Sequence, residues 1–176
     1  GASEKMHRQH VHSSQVGIAS AVRLERPPLD PESAMDLTII VPTFNEGPNV
    51  VALLDRIGES ISPGISFEVL FVDDSTDNTP QIVRDAAVTT RFPVRLLHRE
   101  RPVGGLGGAV VDGITSARAN WCLIMDGDLQ HPPEDIPKLL SRASVGDVDV
   151  VVASRYVAGG HATGLADATR TTVSRV

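Results

Sequence analysis

From residue 36 onward, short apolar runs alternate with amphipathic stretches along the chain. Residues 37–41 form a β-branched run that Pro42 closes, and residues 49–61 carry Val50, Leu53, Leu54 and Ile57 at helical spacing. A second buried run spans 67–72. Thr79-Pro80 then opens a helix to about residue 87, with Thr79 as its cap and the proline in the first turn, where its missing N–H costs nothing. A short third strand is predicted over 94–97. The stripe at positions 106, 109, 110, 114 and 117 predicts a helix over 106–119. A fourth strand is predicted over 121–125, a helix over 132–141 with acidic residues in its first turn, and a fifth strand over 148–153. The strands read as continuous apolar runs, as strands buried on both faces do. Strand and helix in strict alternation predict an α/β fold around a largely parallel, Rossmann-like sheet flanked by helices.

Residues 1–35 break this rhythm. They hold His7, His10 and His12, scattered serines and three prolines, with no apolar core of a signal peptide, and read as a flexible, solvated N-terminal tail ahead of one domain over 36–176. Residues 154–176 are rich in Gly, Ala and Thr without a clear period, and no closing element follows, so the domain is expected to be incomplete at its C-terminal side.

Composition narrows the function. Aromatic residues are 3% of 176, too few for a base-stacking platform, and the net charge of −6 argues against a polyanion binder, so no nucleic-acid partner is expected. The single cysteine, Cys122, excludes an internal disulfide and a two-cysteine zinc site. No apolar run approaches the roughly 18 residues that span a bilayer, so the chain is expected to be soluble. Residues 36–137 hold seven basic and fifteen acidic residues, net −8, whereas 138–176 are net +2. An acidic middle followed by an arginine-bearing end suits a cation site next to a phosphate site.

In open parallel sheets, ligands sit beyond the carboxyl ends of the strands. Each predicted strand delivers polar groups there: Pro42-Thr-Phe-Asn-Glu46, Asp73-Asp-Ser-Thr-Asp-Asn78, Arg101-Pro102 with Gly104-Gly-Leu-Gly-Gly108, Asp126-Gly-Asp-Leu-Gln-His131, and Ser154-Arg-Tyr156. Asp126, Asp128 and Gln130 are spaced to point one way if that stretch is extended, which would gather three oxygen donors on a hard divalent cation, Mg²⁺ or Mn²⁺. Asp74 is placed to accept from a ribose hydroxyl or a base N–H, while Asp77 and Asn78 build the turn and cap the next helix. Glycines opening a helix let backbone N–H groups approach a ligand. Gly105-x-Gly107 nearly mimics the dinucleotide fingerprint, but Val110 takes the third small position and the motif follows the third strand, so hydride transfer is not expected. Gly113 is expected to serve close helix–sheet packing. Arg155, and more weakly Arg170, are placed to meet phosphate oxygens.

Taken together, Val41-Pro-Thr-Phe-Asn-Glu46, Phe71-Val-Asp-Asp-Ser-Thr-Asp-Asn-Thr79, Gly105-Leu-Gly107, Met125-Asp-Gly-Asp-Leu-Gln-His-Pro-Pro-Glu134 and Ser154-Arg-Tyr156 resemble family 2 glycosyltransferases, and within them the polyprenyl- (dolichyl-) phosphate sugar synthases. The resemblance implies a GT-A fold and an inverting, metal-dependent transfer from a nucleotide-diphosphate sugar, GDP-mannose or UDP-hexose, to a polyprenyl phosphate at the cytoplasmic face of a membrane. It implies Pro42, Phe44 and Glu46 in the base pocket, with Asp74, Gly107 and Asp126 also on the nucleotide. Asp126, Asp128 and Gln130 would hold the cation, Asp128 and Arg155 being catalytic, and Arg170 would be a further phosphate contact. Two departures stand out: Gly127 replaces a commoner Ala, and Val103-Gly104 stands where a Lys is often found.

A lipid phosphate is mostly dianionic at neutral pH, with a second pKa of about 6, and needs no dedicated base. A saccharide hydroxyl acceptor would need a positioned carboxylate. Two other readings remain: a nucleotide-sugar-binding domain without turnover, and an aspartyl phosphotransferase built on Asp126-Gly-Asp128. The second is disfavoured because that motif usually follows the first strand.

Overall fold

The structure is a computed structural model and describes residues 20–23 and 35–153. The predicted alternation is present, with shifted ends. In chain order, the elements are β1 (Ser20–Arg23), β2 (Met35–Thr43), α1 (Gly47–Ser60), β3 (Phe67–Asp73), α2 (Thr79–Thr89), β4 (Val94–His98), α3 (Gly105–Ser116), β5 (Ala119–Ile124), a 3₁₀ turn (Pro133–Asp135), α4 (Ile136–Ser144) and β6 (Val150–Val152). The strands form one sheet in the order β4-β3-β2-β5-β1-β6. Strands β2, β3, β4 and β5 are parallel neighbours.

Two expectations need correction. Residues 1–35 are not tail throughout: Ser20–Arg23 is a strand, antiparallel to both β5 and β6, and it joins β6 to the sheet. Pro42 does not end β2, which continues to Thr43 and keeps register opposite Val72. On the β5 side the pairing ends at Ile40 opposite Ile124, ahead of Pro42, so the ring's missing N–H falls beyond that ladder.

Side chains alternate across the sheet as the period of two requires. Leu37, Ile39, Val41, Val69, Phe71 and Leu123 face one way, toward Val50, Leu53 and Ile57 of α1 and Val83 of α2. Ile40, Leu70, Val72 and Cys122 face the other, toward Ala109 of α3. Gly113 lets α3 approach closely: a Cβ there would lie 2.5 Å from Ile40 Cγ2 and 3.1 Å from Val72 Cγ2. Both neighbours are β-branched core residues with little freedom to yield. Gly113→Ala is therefore expected to destabilise the protein by about 2 kcal/mol despite alanine's better helix propensity, read by denaturant unfolding.

Candidate nucleotide and cation site at the carboxyl edge of the sheet

The loops after β2, β3, β4 and β5 meet at one edge and enclose a cavity of about 490 Å³. Of the residues expected on the nucleotide, Pro42, Phe44, Glu46, Asp74 and Asp126 line it. Pro102, Gly105 and Leu106 supply the opposing wall. Gly107 is exposed in the first turn of α3 and is not among the lining residues, whereas its neighbour Gly105 is. Phe44 is 61% exposed, so the ring offers a face that a planar group could cover.

The first two loops are stitched together from below. Asp73 is fully buried, and its carboxylate accepts the Thr43 hydroxyl at 2.8 Å and the Ser75 hydroxyl at 2.5 Å, with His98 Nδ1 at 2.8 Å. Ser75 Oγ in turn accepts the Asn45 backbone N–H at 2.8 Å, and Asn45 Oδ1 accepts the N–H of Thr76 at 3.0 Å. Asn45 sits at φ 57°, a left-handed backbone that asparagine tolerates better than most residues. The two adjacent aspartates thus divide their work, Asp73 holding the floor and Asp74 facing the cavity. The helix starts are tied as well. The Gly47 N–H at the head of α1 donates to Thr79 Oγ1 at 2.9 Å, and Asp77 Oδ1 accepts the Thr79 N–H at 2.9 Å.

The loop after β5 is a turn, which overturns the extended geometry expected of residues 126–130. Leu129 has φ 63°, and Asp128 Oδ1 accepts the Gln130 N–H at 3.0 Å, closing the loop on itself. Alternation along a strand therefore does not align Asp126, Asp128 and Gln130. Among the described residues, no three His, Cys, Asp or Glu side chains stand close enough together to hold a metal ion. Behind the turn, buried His131 presents Nδ1 to the Asp126 N–H at 3.3 Å.

Negative charge nevertheless concentrates here. The Glu46 carboxyl is pushed up to about 7, first by burial and then by Asp128, Asp126 and Asp73. Its Oε2 is buried and has no hydrogen-bond partner among the described residues. Gly127 makes room for it, since a Cβ at that position would collide with Glu46 Oε2. An all-oxygen set of two carboxylates and a carboxamide, with a third carboxyl destabilised by their field, fits a hard divalent cation.

A carboxyl raised on folding favours the folded state fully below its ordinary value near 4.5 and loses that contribution as pH rises through about 7. The group is half-buried, so after solvent screening the effect is on the order of 1 kcal/mol. The metal-free protein is expected to lose about that much stability between pH 5 and pH 8 on account of this group. Glu46→Gln is expected to flatten the decline in denaturant unfolding followed at both pH values.

Arg99 was not singled out from the sequence. It follows β4, its side chain is 7% exposed, and it pairs with Asp74 through Nε at 2.7 Å and Nη2 at 2.6 Å. The Asp74 hydrogen bonds, and less so those of Asp112, raise its already high pKa further. The signal available was an arginine in the first position past a strand whose neighbours in the sheet also end in polar groups. Arg155 and Arg170 lie outside the described residues.

A largely parallel sheet with an acidic, glycine-bounded cleft at its carboxyl edge has the architecture in which open α/β domains place their ligands. The chain belongs to glycosyl transferase family 2, whose profile matches residues 38–175, and the fold is GT-A. It is 38% identical over 127 residues to a dolichol-phosphate mannosyltransferase of Pyrococcus furiosus, covering 72% of this chain and 35% of that one. It is 34% identical over 128 residues to a dodecaprenyl-phosphate galacturonate synthase of Rhizobium johnstonii, covering 72% of this chain and 38% of that one. The chain thus spans little more than a third of the length of these relatives. The crystal structure of S. aureus TarS 1-349 superposes with a TM-score of 0.52 at 29% identity, covering 62% of this chain and 32% of that one. No helix among the described residues is long and apolar enough to cross a membrane.

Proposed function

We propose that the protein transfers a sugar, with inversion, from a nucleotide-diphosphate sugar such as GDP-mannose or a UDP-hexose to a polyprenyl phosphate at a membrane surface. The observation that carries this reading is the convergence of Phe44, Glu46, Asp74 and Asp126 on one cavity in a chain whose relatives are polyprenyl-phosphate sugar transferases. Phe44 and Pro42 would flank the base, and Asp74 would accept from the nucleoside. Asp126, Asp128 and Gln130 are the residues that would hold Mg²⁺ or Mn²⁺. Such an ion, when bound, stabilises negative charge on a departing nucleoside diphosphate. Gly104 and Gly105, both at positive φ, turn the backbone into α3, and Gly105 leaves the cavity wall free of bulk where the diphosphate would lie. Arg155 would meet phosphate oxygens of donor or acceptor. An acceptor phosphate arrives ionised, so no residue has to remove a proton from it.

A second reading, transfer to a saccharide hydroxyl, draws on Glu46, whose carboxyl titrates near the pH where a general base works best. The test is incubation of the chain with radiolabelled GDP-mannose or UDP-hexose, Mn²⁺ and polyprenyl phosphate, followed by organic extraction. Label entering the organic phase, and lost on adding EDTA, is the expected result. Label moving only into water-soluble saccharide would favour the hydroxyl reading. Nucleotide binding with no transfer of label to either acceptor would contradict the enzymatic assignment.

A further inference from the structure

Strand β1 runs antiparallel to β5, so its first residue, Ser20, lies opposite Ile124, and its last, Arg23, lies opposite Trp121. Residues 1–19 lie outside the described residues, but β1 fixes where they join the sheet: at its carboxyl edge, the edge that holds the cavity. One strand spacing and two residues separate Ser20 from Asp126, about 10 Å. The composition of residues 1–19 is one-sided. Lys5, Arg8, His7, His10 and His12 stand against a single carboxylate, Glu4. The other acidic residues ahead of β2, namely Glu25, Asp30 and Glu32, all follow β1.

The edge that this segment meets has the opposite character. Asp128, Asp126 and Asp73 all act on Glu46, whose buried Oε2 has no hydrogen-bond partner among the described residues. His12 is eight residues ahead of Ser20 and Arg8 is twelve. Eight residues extend to about 27 Å, well past the Asp126–Gln130 loop. A short tether also holds its cargo at an effective concentration in the millimolar range, enough to populate a contact too weak to form between separate molecules.

We infer that the basic, histidine-bearing segment 1–19 docks on the acidic edge formed by Glu46 and the Asp126–Gln130 loop, and competes there with the divalent cation. The inference rests on the reading of Asp126, Asp128 and Gln130 as the cation site. The Lys5 ammonium and the Arg8 guanidinium are drawn to the same carboxylates as the ion, and the imidazoles add N–H donors. A bound divalent ion neutralises those carboxylates and repels the two cationic side chains, so segment and ion exclude each other. Attraction between exposed charges is screened over about 3 Å in 1 M salt, so the competition fades there.

Mn²⁺ titration of the full chain, followed by electron paramagnetic resonance at low and at high salt, tests this. The comparison variant carries Lys5→Gln, Arg8→Gln, His7→Gln, His10→Gln and His12→Gln, all outside the described elements. At low salt it is expected to bind Mn²⁺ about fivefold tighter than the wild type, as when a competitor's effective concentration is a few times its dissociation constant. In 1 M salt the two proteins are expected to agree within about 1.5-fold. Equal affinities at low salt, or Mn²⁺ held only together with GDP and equally by both proteins, would overturn the inference and leave the cation site standing. Weaker binding by the variant would overturn it in the other direction, making the segment a source of ligands to the ion. A gain that persists undiminished in 1 M salt would overturn the electrostatic competition. Binding of no Mn²⁺ by either protein, even with GDP, would remove the cation site and the inference with it.

Discussion

Asp126→Asn is expected to lower sugar transfer about 10³-fold, the scale on which removing one preorganised electrostatic contact to developing charge slows an enzyme. The substitution keeps the shape of the side chain and removes only its charge. Asp126 lines the cavity at the end of β5 and is one of the charges that raise Glu46. Its carboxylate is 36% exposed, so the neutral amide leaves no buried charge behind. Thermal stability should hold or rise, because the repulsion on Glu46 is relieved. Unchanged melting with lost turnover is thus the expected pair of readings. A loss smaller than about tenfold would mean that no charge develops beside this residue in the transition state.

Asp73→Ala is expected to cost about 3 kcal/mol of stability, the penalty for stranding buried donors around a deleted carboxylate. Thr43, Ser75 and His98 all lean on Asp73, which no solvent reaches. Through Ser75 the same group holds the Asn45 backbone, and so sets where Phe44 and Glu46 stand. The variant should therefore lose nucleotide affinity together with stability, even though Asp73 does not line the cavity. Chemical denaturation with parallel nucleotide titration measures both. A loss of stability with unchanged affinity would detach the buried floor from the site above it.

Much of this was legible in the residues. The strands of the parallel core and the helices between them announce themselves by local periodicity, and that periodicity survives in Leu37, Ile39 and Val41 facing one layer while Ile40 faces the other. The strand Ser20–Arg23 was not legible. It has four residues of which only Ala21 is buried, and what makes it a strand is pairing with β5, some hundred residues away in the chain, and with β6. Arg99 was missed for a similar reason: its partners Asp74 and Asp112 lie 25 and 13 residues away, and no local pattern joins them. The shape of the Asp126–Gln130 loop was misread because a left-handed Leu129 leaves no mark in the sequence, leucine being an uncommon residue for that backbone. That polar residues gather at the carboxyl edge of the sheet was legible in the sequence. Their division into a buried latch at Asp73 and a cavity-facing acceptor at Asp74 is a property of the packed loops alone.

The most direct measurement is electron paramagnetic resonance of Mn²⁺ in the presence of the full chain and a nucleoside diphosphate, either GDP or UDP. Disappearance of the free-ion signal beyond what the nucleotide alone produces, abolished in both Asp126→Asn and Asp128→Ala, is what the account predicts. Retention of the same protein-dependent binding in the two variants would show that the cation and its nucleotide sit elsewhere.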